Sequence, residues 1–153
     1  MKGIDITISS ISSRHINQVY EIEKSSFAVP WSLESFQDDF KNHHTIYFGA
    51  FIGQRLVGFI GMHHILDEGH ITNIAVLPCH RRMGIGDALL ISLINHAIAS
   101  NITAITLEAR MGNAPALKLY GKHGFVFEGI RKNYYTDTKE DAVIMWKYIK
   151  SGG

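Results

Sequence analysis

Apolar residues recur along this chain with two spacings, and the switch between them marks out the elements. Ile4, Ile6 and Ile8 alternate with polar neighbours, so a strand opens the chain. Ser12 or Ser13 then caps a helix carrying Ile16, Val19, Tyr20 and Ile22. Pro30 keeps the residue before it out of helical geometry. Ser32 starts a second helix, with Trp31 placed to staple onto Phe36. Two β-branched and aromatic runs follow, Thr45 to Ile52 and Arg55 to His64, joined by a tight turn at Gly53-Gln54. Asp67-Glu68-Gly69 predicts another turn, and His70 to Val76 the next strand. Ile85, Leu89, Leu90, Leu93, Ile94 and Ala97 keep helical spacing, so a long helix runs from about Gly84 to Ser100.

Ile102 to Ala109 is a buried strand by pattern, and Asn113 caps a helix through about Lys122, with Pro115 tolerated in its first turn. Gly124 to Phe127 and Ala142 to Ile149 predict two closing strands. The order is β-α-α-β-β-β-α-β-α-β-β. The central strand-helix-strand unit predicts a parallel pair, and the flanking hairpins predict antiparallel ones. The fold class is therefore α/β: a mixed, mostly antiparallel sheet with helices on both faces.

Length and composition narrow the rest. Residues 1–150 form one expected domain with an apolar share, 46%, sufficient for a core, and residues 151–153 a disordered tail. A net charge of +1 provides no global field for nucleic acid or anionic lipid, so attraction to an anion must be local. Cys79 is the only cysteine, which fits a reducing compartment, and nothing beside it argues for a nucleophile. The N-terminus lacks a signal-peptide pattern and no stretch is long and apolar enough to span a bilayer, so the expected location is the cytoplasm. The nine histidines include the adjacent pairs His43-His44 and His63-His64, but none has zinc-ligand spacing; no metal is expected.

The chemistry concentrates between Asn73 and Ala88, where a strand ends, a basic loop follows and glycines open a helix. A helix start carries N–H groups without partners and about half a positive charge. Gly84 and Gly86 let those groups approach a phosphate, and Arg81 and Arg82 add charge. No Gly-Lys-Ser/Thr follows, which excludes a Walker A loop, and the third glycine of a dinucleotide fingerprint is missing. Taken alone, the pattern also fits an ordinary glycine-rich turn with two solvated arginines.

Arg81-x-x-Gly84-x-Gly86 between a strand and a long helix resembles the coenzyme A-binding motif of the GNAT family of N-acetyltransferases. Asn113-x-x-Ala116-x-x-Leu119-Tyr120-x-x-x-Gly124-Phe125 is similar to the family's second signature. Pro30-Trp31-Ser32, Asn73-Ile74-Ala75-Val76, Arg131-x-Asn133-Tyr134-Tyr135 and Glu140-Asp141-Ala142 look like its RimI-like branch, which acetylates the N-terminal alanine of a small-subunit ribosomal protein. The resemblance covers the whole chain and implies acetyl-CoA as co-substrate. It implies cofactor contacts from Ile74, Ala75, Val76, Arg81, Arg82, Met83, Gly84, Ile85, Gly86, Asp87 and Asn113. It also implies a bulge in the strand around Ile74, splaying it from its neighbour to admit the pantetheine arm, with backbone N–H groups there polarising the thioester carbonyl.

Glu108 is the implied base. At the end of an apolar strand, its carboxyl is expected to be partly desolvated and its pKa raised, unless Arg110 or another cation pairs with it. Tyr120 is the implied acid for the leaving thiolate, two helical turns from Asn113, and is alternatively a packing residue beside Leu117 and Phe125. Tyr134, Tyr135 and Glu140 are the expected contacts to the peptide end. Attack is expected to be direct, within a ternary complex, by a monomer or weak dimer with no nucleic-acid or membrane partner. The competing readings are acetylation of a small amine or a lysine side chain, and a coenzyme A-binding module without turnover.

Overall fold

The structure, a computed structural model, describes residues 5–149. The tail expected at 151–153, and Ile4 of the first strand, lie outside the described residues. Seven strands and four helices follow in the expected order: β1 (Thr7–Ser10), α1 (Ile16–Ser26), α2 (Leu33–Lys41), β2 (Thr45–Ile52), β3 (Arg55–Ile65), β4 (Glu68–Val76), α3 (Ile85–Ala99), β5 (Ala104–Arg110), α4 (Ala114–Lys122), β6 (Val126–Tyr135) and β7 (Glu140–Tyr148). Ser32 caps α2 by accepting from the Ser35 N–H at 3.0 Å, and the Trp31 ring lies 5.3 Å from that of Phe36, forming the expected staple. Asn113 caps α4 by accepting from the Ala116 N–H at 3.2 Å.

Two boundaries differ from expectation. The turn after β3 is Leu66-Asp67, with Leu66 at φ 57°, so Glu68 and Gly69 are already in β4. β6 starts at Val126 and continues to Tyr135, so the Asn-Tyr-Tyr segment lies at a strand end. Little there is apolar on alternate positions because β6 is an edge strand, exposed along most of its length.

The seven strands form one sheet in the order β1-β2-β3-β4-β5-β7-β6, and only β4 and β5 are parallel. That parallel ladder is three pairs long and stops at His70↔Thr106, although β4 continues to Val76 and β5 to Arg110. Beyond the last pair the sheet is split. The cause is visible on the other edge of β4. Pairing to β3 jumps from Gly61↔Asn73 to Met62↔Ile71, so Thr72 is an extra residue, a β-bulge that bends and twists the strand. The bulge also resets which way side chains point. Ile71, Ile74 and Val76 pack on the core under α3, whereas Asn73 and Ala75 face α1 and α2.

One core lies on each face. Leu89, Leu90 and Leu93 of α3 and Tyr120 of α4 cover Ile60, Ile105 and Leu107. Val19 and Ile22 of α1 and Phe36 of α2 cover Tyr47, Leu56 and Phe59 on the other side. A polar clamp fixes α2 there: the Tyr47 hydroxyl donates to Asp39 Oδ2 at 2.6 Å, and His63 Nε2 lies 2.7 Å from Oδ1. Burial, then the neighbouring carboxylate, pushes the Tyr47 phenol well above its ordinary pKa, so it stays a donor. Asp39→Ala leaves that buried hydroxyl without an acceptor. We expect it to cost about 1–3 kcal/mol, read as a lower urea midpoint at unchanged slope.

Candidate functional site

The split between β4 and β5 opens into a cleft of about 710 Å³. Its walls come from both faces of the sheet. Glu23, Phe27 and Val29 from α1 and the loop after it line one side, and Asn113, Ala116 and Tyr120 line the α4 side. Alternation along β5 puts Glu108 on the face opposite Leu107 and Ala109, which belong to the core under α3 and α4. Glu108 and Tyr120 therefore approach one cleft from opposite faces of the sheet. The split is the passage between them.

Glu108 is mostly buried, and its Oε2 lies 2.8 Å from Nε2 of His70. That hydrogen bond, outweighing burial, holds the Glu108 carboxyl below its usual value, and the charges of His70 and Arg131 add to the effect. The expected upward shift is thus reversed: a partner offsets desolvation. The partner is an imidazole from β4; Arg110 is engaged elsewhere. Tyr120 is 5% exposed, its ring in edge contact with Phe125 at 5.7 Å. Burial, then the nearby Tyr135, pushes its phenol upward, which keeps the proton on it at neutral pH. It is both a packing residue and a cleft residue.

The β6–β7 hairpin closes one end. Arg110 pairs with Asp137 at 3.0 Å and lies 4.1 Å over the Tyr135 ring. Glu140 accepts from the Gly112 N–H at 2.6 Å and from Arg110 at 3.4 Å. Burial raises the Tyr135 phenol to about 12, despite the opposing charge of Arg110. Tyr134, Tyr135 and Glu140 all line the cleft, and the Glu140 carboxylate is committed to anchoring the hairpin.

The basic loop lies at the far end of β4. Arg81 folds back, its Nε donating to the Val76 carbonyl at 3.1 Å. Arg82 has φ 65° and Gly84 φ 79°, so the backbone turns left-handed twice just before α3, a geometry that can form an anion nest. Among the described residues none supplies an acceptor to the N–H groups of Gly84 to Asp87. The start of α3 is fastened to α4. Asp87 Oδ1 lies 2.7 Å from His123 Nε2 and 3.0 Å from Lys122 Nζ, which draws its carboxylate towards α4.

Of the residues singled out in the sequence, Ile74, Glu108, Asn113, Tyr120, Tyr134, Tyr135 and Glu140 share the cleft. Ala75 and Val76 continue β4 away from it, and Arg81 to Asp87 span the basic loop and the start of α3. Two residues were missed. His70 looked like one of many scattered histidines; the parallel register that brings it to Glu108 was its only signal. Glu23 reads as a polar position on an amphipathic helix, yet it is 2% exposed, accepts from the Trp31 N–H at 2.9 Å and from Asn73 Nδ2 at 3.1 Å, and lines the cleft. Burial raises its carboxyl above the usual value.

Comparison with known proteins agrees with this fold. The sequence profile of the acetyltransferase (GNAT) family matches residues 16–125, and the chain belongs to that family. A Bacillus subtilis protein is 41% identical over 135 residues, covering 88% of this chain and 89% of its own length. The [ribosomal protein bS18]-alanine N-acetyltransferase of Escherichia coli K12 is 37% identical over 141 residues, covering 91% of this chain and 95% of its own. The crystal structure of the ribosomal-protein-S18-alanine N-acetyltransferase from Escherichia coli superposes with a TM-score of 0.92 at 36% identity, over 97% of each chain.

Pairing with His123 first, and with Lys122, lowers the Asp87 carboxyl below its ordinary value. Its contribution to stability is complete above about pH 4, the unfolded value, and is lost as pH falls through the lowered folded one. Asp87→Asn should therefore lower the urea midpoint near neutrality and lose less further stability than the parent between about pH 4 and pH 2.

Proposed function

We propose that this chain transfers the acetyl group of acetyl-CoA to the α-amine of the N-terminal alanine of ribosomal protein bS18, by direct attack in a ternary complex. The observation that carries the reading is the passage through the sheet, with Glu108 on one face of it and Tyr120 on the other. The nest at Arg82 to Asp87 would take the diphosphate, the pantetheine arm would enter the split from the α3–α4 side, and the peptide end would enter from the α1–α2 side. Unpaired N–H groups on the β5-facing edge of β4 are the candidate donors to the thioester carbonyl.

An α-amine near pKa 7.7–8.0 is already partly neutral at pH 7, with roughly a few hundred-fold more free base than a lysine near 10.4. A weak base is then sufficient. Glu108, held ionised, takes a proton from the ammonium directly or through water. The amine nitrogen attacks the carbonyl carbon, and the C–S bond breaks as the Tyr120 hydroxyl protonates the departing sulfur. The second amine proton restores Tyr120. Each turnover releases amide, thiol and one proton. Asn113 caps α4 with its Oδ1 and keeps its amide N–H groups for the coenzyme.

Kinetics on a bS18-type Ala-initiated peptide and on an internal-lysine peptide, with products mapped by mass spectrometry, test the acceptor. The Ala-initiated peptide should win by kcat/KM at pH 7; equal or reversed rates exclude the assignment. Glu108→Gln should lower kcat on the order of 10²-fold with the acetyl-CoA KM unchanged, and Tyr120→Phe should do so by a similar factor.

A further inference from the structure

The three-pair parallel ladder ends at His70↔Thr106, at the crotch of the split. Glu108 lies two residues beyond Thr106 on the same face of β5, so the last rung puts His70 directly beside it. Glu108 lines the cleft and His70 is not among the residues that do. The imidazole touches the carboxylate from behind, half exposed, at 2.8 Å. An ionised carboxylate only accepts, so Nε2 carries the proton and donates. Oε1 has no donor among the described residues.

We infer that His70 is a positioning residue for the reaction: its Nε2–H pins one oxygen of Glu108 so that the other, Oε1, faces the amine. The inference rests on Glu108 being the base. A glutamate has three side-chain torsions, and a base must hold within hydrogen-bond reach of the proton it takes. A base oriented by a third group is the recurring solution. Here the third group comes from the neighbouring strand, at the last of the three pairs that join β4 to β5. The other groups facing Glu108 are Arg131 and Tyr135, both from β6; they contribute charge and bulk but no hydrogen bond to it.

The test compares His70→Ala, His70→Gln and Glu108→Gln with the parent enzyme on an Ala-initiated peptide. His70→Ala should lower kcat about tenfold or more, the scale of a misplaced catalytic group, with the KM for acetyl-CoA unchanged. A glutamine amide can return an N–H near the place of Nε2, so His70→Gln should recover most of that loss. Carbon-detected titration of the Glu108 carboxyl should show a higher pKa in His70→Ala than in the parent, and an intermediate one in His70→Gln. Unimpaired His70→Ala beside an inactive Glu108→Gln overturns this inference alone. A glutamine variant as slow as the alanine one overturns it too, since the pair would then only staple two strands. A fully active Glu108→Gln removes the base assignment and this inference with it.

Discussion

The failure of β4 to stay paired with β5 is the constraint on which the site depends. A mixed sheet of this size would close its core with a continuous ladder; here the ladder lasts three pairs. One extra residue, Thr72, bends β4 away and turns Ile71 and Ile74 onto the same face. The cost is a row of backbone groups without strand partners, which a native interior tolerates only where solvent or a ligand can satisfy them. The gain is a passage through an otherwise solid sheet, with a different helix pair on each side.

The electrostatics are local throughout. The net charge is +1, and the polar groups that matter act in short-range sets. Three histidines each meet one carboxylate: His63 with Asp39, His70 with Glu108 and His123 with Asp87. Each contact ties one helix or strand to another, and the last two involve elements that line the cleft or the basic loop. The proposed anion site would follow the same economy, drawing on backbone N–H groups and two arginines, one of which is bent back onto its own strand.

Much of this was legible along the chain. The helices were readable because their caps are chemical: Ser32 and Asn113 both accept the predicted N–H groups. The R-x-x-G-x-G loop was readable as the turn into α3, because its glycines mark the break before the helical spacing begins. The turn after β3 was misplaced by a residue or two because Leu66 adopts a left-handed conformation that no leucine advertises. The Thr72 bulge shows as a three-residue step from Ile71 to Ile74, but a strand buried on both faces has the same appearance. Glu108 was expected beside the ligand and does line the cleft, but its environment was mistaken, since its partner lies 38 positions away and only the register of the parallel pair joins them. Glu23 was hidden for the same reason: Asn73, which meets its carboxylate, is 50 positions away.

The fastening of α3 to α4 through Asp87, His123 and Lys122 has a geometric corollary. It ties the start of the helix after the basic loop to the end of the helix that carries Tyr120. With the diphosphate at the loop and Tyr120 as the acid, as proposed, that tie would act as a ruler for the carrier. A thioester on a shorter or longer tether would seat its charged head and hold its sulfur out of line with the phenol.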